Sequence, residues 1–294
     1  MNPRIASAPG RVNLLGEQVD HQGGTVLPVA IHMRTTVRYT PGEAWEIESE
    51  GHPPGGDWLR LIHGVIGGVG GCLPGRLEIS STLPEGKGLA SSAALEVAVA
   101  GAICDLAPLE LAALCQRAEQ EAAGVPCGPM DQCVAACAIA GNVLVLDCAD
   151  RTFFHLPLPE MDLLLFDSGI ARRLADTPYG ERRAEASTPG TPAHRHVRGE
   201  MERVRRAIDL LDRGDVEAFG ALLYESHESL RDLYRCGHPA LDAIVDDLAR
   251  TPGVHGARMV GAGWGGSVLA VVEPGTRLDG GVRLVSDDGL ARIE

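Results

Sequence analysis

Short apolar segments alternate with longer amphipathic ones in the first half of the chain. Glycine and proline bound the short segments, and β-branched residues are frequent in them, as is typical of strands. The predicted strands cover residues 11–15, 26–31, 36–39 and 76–80. Residues 91–104 are apolar almost all round, which predicts a buried helix, and residues 108–123 carry one apolar face and predict a second helix.

The second half repeats this mixture. Strands are predicted at residues 142–147, 162–167, 256–260 and 267–272, and amphipathic helices at 200–211, 215–235 and 239–249. Residues 188–192 are rich in proline and glycine and predict a loop or poorly ordered connector. Pro157 and Pro159 mark a junction before the second of these strands. We therefore expect an α+β protein with two domains, residues 1–158 and 159–294.

Composition and net charge indicate which kinds of partner the protein is unsuited to bind. The chain has 294 residues, of which 45% are hydrophobic and 22% charged, and its net charge is −14. An acidic chain of ordinary composition is unsuited overall to binding nucleic acid or an anionic membrane. We expect no membrane span and no secretory signal, because no long apolar run is present. The eight cysteines form no Cys-x-x-Cys pair, which favours reduced thiols and a cytoplasmic protein.

A glycine-rich loop precedes the predicted buried helix. Glycines allow the backbone to approach a ligand closely, and free N–H groups at a helix start attract phosphate. The segment contains a lysine, two serines and no Walker A ending, and its candidate nucleotide-binding residues are Gly86, Lys87, Gly88, Leu89, Ala90, Ser91 and Ser92. The alternative is a glycine turn with a serine as the helix N-cap.

A second glycine-rich loop, residues 261–266, satisfies the pattern GxGxxG. That pattern marks a dinucleotide site only where it follows a strand and opens a helix. Here the β-branched residues 267–272 predict a strand instead. The strand after the loop therefore disfavours a dinucleotide-dependent oxidoreductase. The loop either cradles another ligand or makes a tight connection.

Residues 11–24 bring a cation, carboxylates, amides and an imidazole into one strand and loop. Burying polar groups at this density costs free energy unless each finds a partner. A polyhydroxylated sugar, with donors and acceptors in fixed positions, is a natural partner. The alternative is a solvated loop.

This segment resembles the sugar-binding signature of galactokinases, which belong to the GHMP small-molecule kinases. Further segments are similar to galactokinase motifs in the same order, namely residues 84–93, 126–132, 179–183, 226–232 and 256–266. The resemblance implies a two-domain GHMP kinase fold. Its N-terminal domain would be ribosomal-protein-S5-domain-2-like and its C-terminal domain ferredoxin-like, with the active site in the cleft between them.

The same resemblance implies the catalytic residues of a sugar 1-kinase. Asp131 would take the proton of the anomeric hydroxyl, and Arg11 beside it would keep the carboxylate ionised and stabilise charge on the transferring phosphoryl group. Without the family context, Asp131 could instead N-cap a helix over residues 132–140, and the two roles are compatible.

The implied ligands are ATP, Mg²⁺ and a sugar. Ser92 and Glu119 match the family's magnesium positions, although Glu119 could also be a solvated helix charge. Trp58 matches the residue that packs against adenine, with an ordinary core tryptophan as the alternative. The positions that match sugar contacts are Glu17, Gln18, Asp20, Gly128 and Tyr179.

Several positions depart from the family pattern. Gln18 replaces the usual histidine, and His21 and Gln22 replace tyrosine and asparagine, as in galacturonate kinases. Those kinases lack a carboxylate at the position of Glu17, which would repel a C6 carboxylate, so we expect galactose or a relative such as arabinose. Ala171 stands where many galactokinases have a basic residue near the phosphates.

Other features leave alternatives open. A catalytically silent, galactokinase-like sensor would bind ATP and sugar without transferring phosphate, but it would not need the base Asp131. His194 and His196 have the spacing of metal ligands without a third partner, so we expect a solvated connector there. We expect a monomer or weak homodimer.

Overall fold

A computed structural model describes residues 3–50, 57–124, 127–170 and 177–293. Twelve strands in these ranges form three sheets. The strands are β1 (Arg4–Asn13), β2 (Thr25–Val26), β3 (Pro28–Pro41), β4 (Glu46–Ser49), β5 (Gly75–Ser81), β6 (Asn142–Asp147), β7 (Phe153–Pro157), β8 (Asp162–Asp167), β9 (Val254–Val260), β10 (Ser267–Val272), β11 (Gly281–Leu284) and β12 (Ala291–Ile293).

Helices pack around these sheets. The α-helices are α1 (Asp57–Val69), α2 (Ser91–Ile103), α3 (Pro108–Ala123), α4 (Met130–Cys137), α5 (Tyr179–Ala186), α6 (Pro192–Asp212), α7 (Val216–Ser229) and α8 (Pro239–Leu248). A 3₁₀ helix covers Asp20–Gln22, and a π-helical turn covers Leu230–Tyr234. In the described part of the chain, no helix is long and apolar enough to cross a membrane.

The first sheet has the strand order β12-β1-β3-β5-β4. Helix α2 packs directly on its strands β1 and β3, and helices α1, α3 and α4 cover α2 in turn. Every residue of α2 from Ala93 to Ile103 is buried, as its almost entirely apolar sequence predicts, and the one charged residue, Glu96, is buried with them. Arg11 lies near the end of β1, so this core positions the first candidate catalytic residue.

The second sheet is antiparallel, with the order β11-β8-β10-β9, and helices α7 and α8 pack against β9. The second glycine-rich loop connects β9 to β10. It therefore lies between two strands, as predicted, and not in the context of a dinucleotide site.

Several predicted boundaries were wrong. Residues 26–31 and 36–39 were expected as two strands, but β3 runs unbroken through Pro41 because its polar residues still pair with β1 and β5. The predicted helix 215–235 ends as α7 at Ser229 and continues as the π-helical turn. Strands β4, β7, β11 and β12 were not predicted, since they are short and carry exposed positions.

The loop predicted at residues 188–192 is confirmed for residues 188–191, but the solvated connector predicted at His194 and His196 is wrong. Helix α6 begins at Pro192, and the Thr191 side chain accepts a hydrogen bond from the His194 N–H. Both His194 and His196 therefore lie in a helix, and the His196 side chain is fully buried rather than solvated. The amphipathic pattern of this helix extends further toward its N-terminus than the proline suggested, because proline is tolerated in a first helical turn.

The domain boundary at residues 158 and 159 stays a prediction. The last strand complicates it, because β12 pairs with β1 in the first sheet, with Ile293 opposite Ile5. The end of the chain therefore returns to the N-terminal half.

Candidate active site

A cavity of about 240 Å³ lies where the first sheet, the first glycine loop and the second glycine loop meet. Its lining comprises Arg11, Glu17, Gln18, Asp20, Gly86, Gly88, Leu89, Ala90, Ser91, Ser92, Glu119, Cys127, Gly128, Met130, Asp131, Tyr179, Gly261 and Ala262. All the candidate site residues predicted from the sequence are among them except Lys87 and Trp58. The fold thus brings together segments from both halves of the chain.

An ion pair between Arg11 and Asp131 forms one wall of the cavity. Arg11 Nε donates to Asp131 Oδ1 at 2.9 Å, and Arg11 Nη2 donates to Oδ2 at 3.0 Å. Arg11 Nη1 donates to the carbonyl of Gly88 in the glycine loop. The guanidinium therefore links the carboxylate to the loop through a two-point contact that a lysine could not make.

Burial raises the pKa of Asp131 to about 6, although the positive charge of Arg11 opposes this shift. The nearby carboxylates of Asp20 and Glu119 add to it by like-charge repulsion. The carboxylate is therefore mostly ionised at pH 7, but it binds a proton more readily than an ordinary aspartate. A group with these properties can act as a general base near neutral pH.

Asp131 does not cap its helix. Helix α4 begins at Met130 after Pro129, and no side chain accepts a hydrogen bond at its N-cap. Asp131 lies in the first turn, where the helix dipole favours a negative charge, and its side chain is bound by Arg11. The alternative role as an N-cap residue is therefore wrong.

The first glycine loop leaves the start of α2 uncapped. Gly86, Gly88 and Ala90 all have positive φ, at 70°, 79° and 58°, and Ala90 rather than a serine occupies the N-cap position. A left-handed alanine is strained, and such strain is characteristic of functional sites. Ser91 and Ser92 open the helix beside the cavity, so the serine N-cap alternative is wrong and their N–H groups form a possible anion site.

Lys87 does not line the cavity. Its Nζ donates to Asp167 Oδ2 at 2.5 Å, at the end of β8, and its own carbonyl accepts from Ser267 Oγ at 3.1 Å. The hydrogen bond from Lys87 lowers the pKa of Asp167. Both contacts tie the glycine loop to the second sheet.

A chain of polar side chains leads from the cavity into the core. Ser92 Oγ donates to Glu119 Oε1 at 3.0 Å, and Gln132 Nε2 donates to Glu119 Oε2 at 2.7 Å and to Glu96 Oε2 at 3.0 Å. Burial raises the pKa of Glu96 well above its usual value and favours the protonated carboxyl. Within the described ranges, no group of three or more His, Cys, Asp or Glu side chains could hold a metal ion.

The face of the cavity that carries the residues predicted to contact a sugar is built around Asp20. His21 Nδ1 lies 3.3 Å from Asp20 Oδ1. Burial alone would raise the pKa of Asp20, but His21 and Arg11 lower it overall, so the carboxylate stays ionised. Gly128 packs directly on it, since a Cβ at this glycine would lie 2.1 Å from Asp20 Oδ2. Gln18 Nε2 donates to the Ala262 carbonyl at 3.2 Å.

Sequence reasoning missed the partner of Glu17. Arg258, fully buried in β9, donates from Nη2 to Glu17 Oε1 at 3.1 Å, and the Gly261 N–H donates to the same oxygen at 2.8 Å. An arginine inside the otherwise apolar strand 256–260 was the available signal, because a buried charge requires a partner.

His196 and Glu200, both in α6, bind the backbone of the loop around Glu17. Sequence reasoning identified neither as a functional candidate. His196 Nε2 lies 3.1 Å from the Glu17 carbonyl, and Glu200 Oε1 accepts from the Gly16 N–H at 3.0 Å. Burial lowers the pKa of His196 and keeps it neutral, so Nε2–H donates to the carbonyl while Nδ1 accepts from Ser229 Oγ at 2.8 Å. The expected solvated histidines therefore include a structural one.

A second cavity of about 180 Å³ adjoins the first, and the two share Ser91 and Ser92. Trp58 lines this second cavity together with Leu61, Ile79 and Leu95, among other residues. An apolar pocket beside the phosphate-type loop has the character of a nucleobase site. Ala171, where a departure from the family pattern was noted, lies outside the described residues.

Comparison with known proteins identifies three matching family models. The galactokinase galactose-binding signature matches residues 1–41, the GHMP kinase N-terminal domain matches residues 60–139, and the GHMP kinase C-terminal domain matches residues 207–281. The galactokinase of Chloroflexus aggregans is 37% identical, and that of Homo sapiens 34%. Each alignment covers 92% of this chain and 84% of the relative.

Solved structures are similar over almost the whole chain. The Lactococcus lactis galactokinase complexed with galactose has a TM-score of 0.89 at 25% identity, covering 99% of this chain and 95% of that one. The mevalonate kinase of L. major has a TM-score of 0.74 at 18% identity, covering 98% of this chain and 96% of the other, and shares the fold.

Proposed function

The chain belongs to the galactokinases, within the GHMP kinases, and we propose that it phosphorylates galactose at the anomeric hydroxyl with ATP as donor, using Asp131 as the base. The observation that carries the proposal is the Arg11–Asp131 ion pair, which lines the same cavity as the uncapped start of α2. A base and an anion site in one cavity are what transfer of a phosphoryl group to a hydroxyl requires.

In the proposed reaction, the proton moves to Asp131 and the phosphoryl group moves to the sugar. The carboxylate of Asp131 accepts the anomeric proton while the sugar oxygen bonds to the γ-phosphorus and the bond to the ADP oxygen breaks. The pKa of Asp131 near 6 suits this role at neutral pH. Arg11 orients the carboxylate by its two-point contact and stabilises the negative charge that develops on the phosphoryl oxygens.

The phosphates of ATP are assigned to the first glycine loop. The N–H groups at the start of α2 have no capping side chain, and the positive end of the helix dipole favours anions there. Adenine is assigned to the adjoining cavity beside Trp58. Lys87 remains a candidate phosphate ligand, on the condition that it leaves Asp167.

Ser92 and Glu119 fit a magnesium ion bound together with the phosphates. Their oxygens are 3.0 Å apart at the cavity wall, and hydroxyl and carboxylate oxygens are the hard ligands that Mg²⁺ prefers. When bound, the ion would neutralise charge on the β- and γ-phosphates. Gln132 fixes the second oxygen of Glu119, so the pair is held in place before the ion arrives.

The sugar is assigned to the face formed by Asp20, Tyr179, Gly128, Gln18 and Glu17. Asp20 is ionised and can accept hydrogen bonds from two hydroxyls. The structure changes the reasoning about galacturonate, because Arg258 compensates the charge of Glu17. Repulsion of a C6 carboxylate by Glu17 is therefore weak evidence, and the preference for galactose is supported chiefly by the relatives.

The test of this function is Mg²⁺-dependent release of ADP with galactose, galactosamine, N-acetylgalactosamine, arabinose, glucose and galacturonate as acceptors. We expect the highest kcat/KM with galactose. No turnover with any of these sugars, together with ATP binding by calorimetry, would contradict the proposal and favour the silent sensor.

The role of Asp131 is tested by Asp131→Asn. The variant loses the base but keeps the cavity's shape, so kcat should fall by roughly 100- to 10,000-fold while the galactose Kd stays within about threefold. Asp209→Asn, at an exposed position of α6, is the matched control and should leave both values unchanged. Near-normal turnover in Asp131→Asn would mean that the assigned base is wrong.

A further inference from the structure

Arg258 occupies an unusual position for a charged side chain. It is fully buried, and its guanidinium is surrounded by backbone carbonyls. Nε donates to Leu14 O at 2.9 Å, Nη1 donates to Met259 O at 3.2 Å, and Nη2 donates to Asn13 O and to Glu17 Oε1. These contacts leave the guanidinium a single orientation.

Glu17 receives all its fixed hydrogen bonds on one oxygen. Oε1 accepts from Arg258 and from the Gly261 N–H. The other oxygen, Oε2, has no hydrogen-bond partner within the described ranges, and it is not among the atoms that are buried without a partner. Because Glu17 lines the cavity, Oε2 is the oxygen that remains available to a ligand.

The backbone beneath Glu17 is equally restrained. His196 binds its carbonyl, and Glu200 binds the N–H of the preceding residue, Gly16. Burial alone would raise the pKa of Glu200, but the positive charges of Arg203 and Arg258 lower it, so it binds this N–H as a carboxylate. Rotation of the Glu17 side chain is therefore opposed at its end by Arg258, and displacement of its backbone is opposed by α6.

We propose that Arg258 is a positioning residue for sugar recognition, which fixes Oε1 of Glu17 so that Oε2 accepts a hydrogen bond from one hydroxyl other than the anomeric one. The inference rests on the proposed function, which places the anomeric hydroxyl at Asp131. A fixed, charged acceptor discriminates strongly, because a sugar without the matching hydroxyl leaves that oxygen unpaired. A carboxylate free to rotate would find water instead and discriminate less.

The experiment compares D-galactose with its 2-, 3-, 4- and 6-deoxy analogues, with kcat/KM measured for each. In the wild-type protein, kcat/KM for the analogue that lacks the matching hydroxyl should be roughly 10- to 100-fold lower than kcat/KM for galactose. This fall in kcat/KM is the penalty for the missing hydroxyl. In Arg258→Lys, a single ammonium cannot reach all four oxygens, so this one penalty should shrink to about threefold or less while the other three stay unchanged.

A second variant covers the case in which Arg258→Lys does not fold. Glu17→Gln keeps the shape and an oxygen for Arg258, but it presents an uncharged amide to the sugar, so the penalty should shrink at the same single hydroxyl. The inference would be overturned if all penalties were unchanged in both variants or if all four penalties fell equally. It would also be overturned if the two variants reduced the penalty at different hydroxyls.

Arg34 provides the matched control. It also binds one carboxylate and several backbone carbonyls, those of Ser7, Asp288 and Gly289, but it does not line the cavity. Arg34→Lys should lower the melting temperature and leave all four penalties intact. Failure of the wild-type protein to phosphorylate galactose would contradict the proposed function, whereas normal turnover with unchanged penalties in the variants would contradict the role of Arg258 alone.

Discussion

Asp131 experiences two opposing electrostatic influences inside the cavity. Burial and the neighbouring carboxylates favour its protonated form, and Arg11 favours the ionised form. The first influence is the larger, which is why the pKa lies near 6 and not below 4. This balance is a property of single residues and has a direct kinetic consequence.

We expect kcat/KM for galactose to fall as the pH is lowered through about 6, because only the ionised carboxylate accepts a proton. One pH unit below the pKa, activity should be roughly a tenth of its plateau. Steady-state kinetics between pH 4.5 and 8 at constant ionic strength would measure this. Arg11→Gln should move the midpoint to higher pH, since the opposing positive charge is lost. A wild-type midpoint near 4 would contradict the assignment.

At the residue scale, the resemblance predicted the contact between Arg11 and Asp131 but not the contacts that hold Glu17. Arg11 and Asp131 stand in separate motifs, and the resemblance to galactokinases paired them correctly. No motif indicated that Arg258 compensates Glu17, or that His196 supports the same loop. These contacts join residues far apart in sequence, and their formation depends on how β9 and α6 pack.

At the scale of elements, the first glycine loop is tied to both halves of the molecule. Arg11 binds the Gly88 carbonyl from β1, and Ser267 and Asp167 bind Lys87 from the second sheet. The loop is therefore held in shape before ATP arrives. Under the proposed function, Lys87 would have to exchange Asp167 for a phosphate of ATP.

This exchange predicts opposite effects of two substitutions on the KM for ATP. Asp167→Asn should lower it severalfold, because Lys87 is released toward the phosphates, and Lys87→Ala should raise it. The amide oxygen that Asp167→Asn introduces can still accept the hydrogen bond from the Gly169 N–H that Oδ1 accepts now, so the β8 end should keep its shape. If neither substitution alters the KM for ATP, Lys87 is only a tether to the second sheet.

Helix α7 approaches β9 so closely that only glycine fits. A Cβ on Gly220 would lie 2.2 Å from the His255 carbonyl oxygen. Gly220→Ala should therefore lower the free energy of unfolding by roughly 2 kcal/mol or more, because backbone must move to admit the methyl group. Urea denaturation would measure the change.

Gly67 is the control for this prediction. It is exposed in α1, and a Cβ there would contact nothing within 4 Å. Gly67→Ala should raise stability by about 0.5–1 kcal/mol through helix propensity. Equal effects of the two substitutions would mean that the α7–β9 contact is looser than described.

Element types were predicted more accurately than element ends. Helix α3 and strands β6, β8 and β10 have the predicted bounds, because each is a regular apolar pattern with clear breakers. The pattern failed where tertiary pairing outweighed local preference, as in β3, whose polar middle is held between two neighbouring strands.

At the scale of the whole molecule, the C-terminal segment adds an edge strand to the first sheet. Strand β12 pairs with β1, and Arg34 binds Asp287 and the carbonyls of Asp288 and Gly289. Removal of residues 286–294 would make β1, the strand that carries Arg11, an edge strand. The N-terminal half therefore depends on the last residues of the chain.

We expect this truncation to lower the free energy of unfolding by roughly 2–5 kcal/mol, because several hydrogen bonds and a strand pair are lost. Thermal unfolding would measure it, and a chain lacking only Glu294 is the control. An unchanged melting temperature would contradict the role assigned to the C-terminal segment. Saturating galactose at about 100 times its Kd should restore about 2.7 kcal/mol, provided that the cavity survives.

By itself the sequence determined the α+β class, the order of motifs and the chemistry that the candidate residues can perform, because residue type and local period carry that information. Tertiary structure alone decided the start of α4, the strained Ala90, the Arg258–Glu17 pair and the return of β12 to β1. Each of these depends on contacts between distant segments. Such contacts are set by close packing around a shared core, and a local pattern, such as the arginine inside an apolar strand, does not identify the partner.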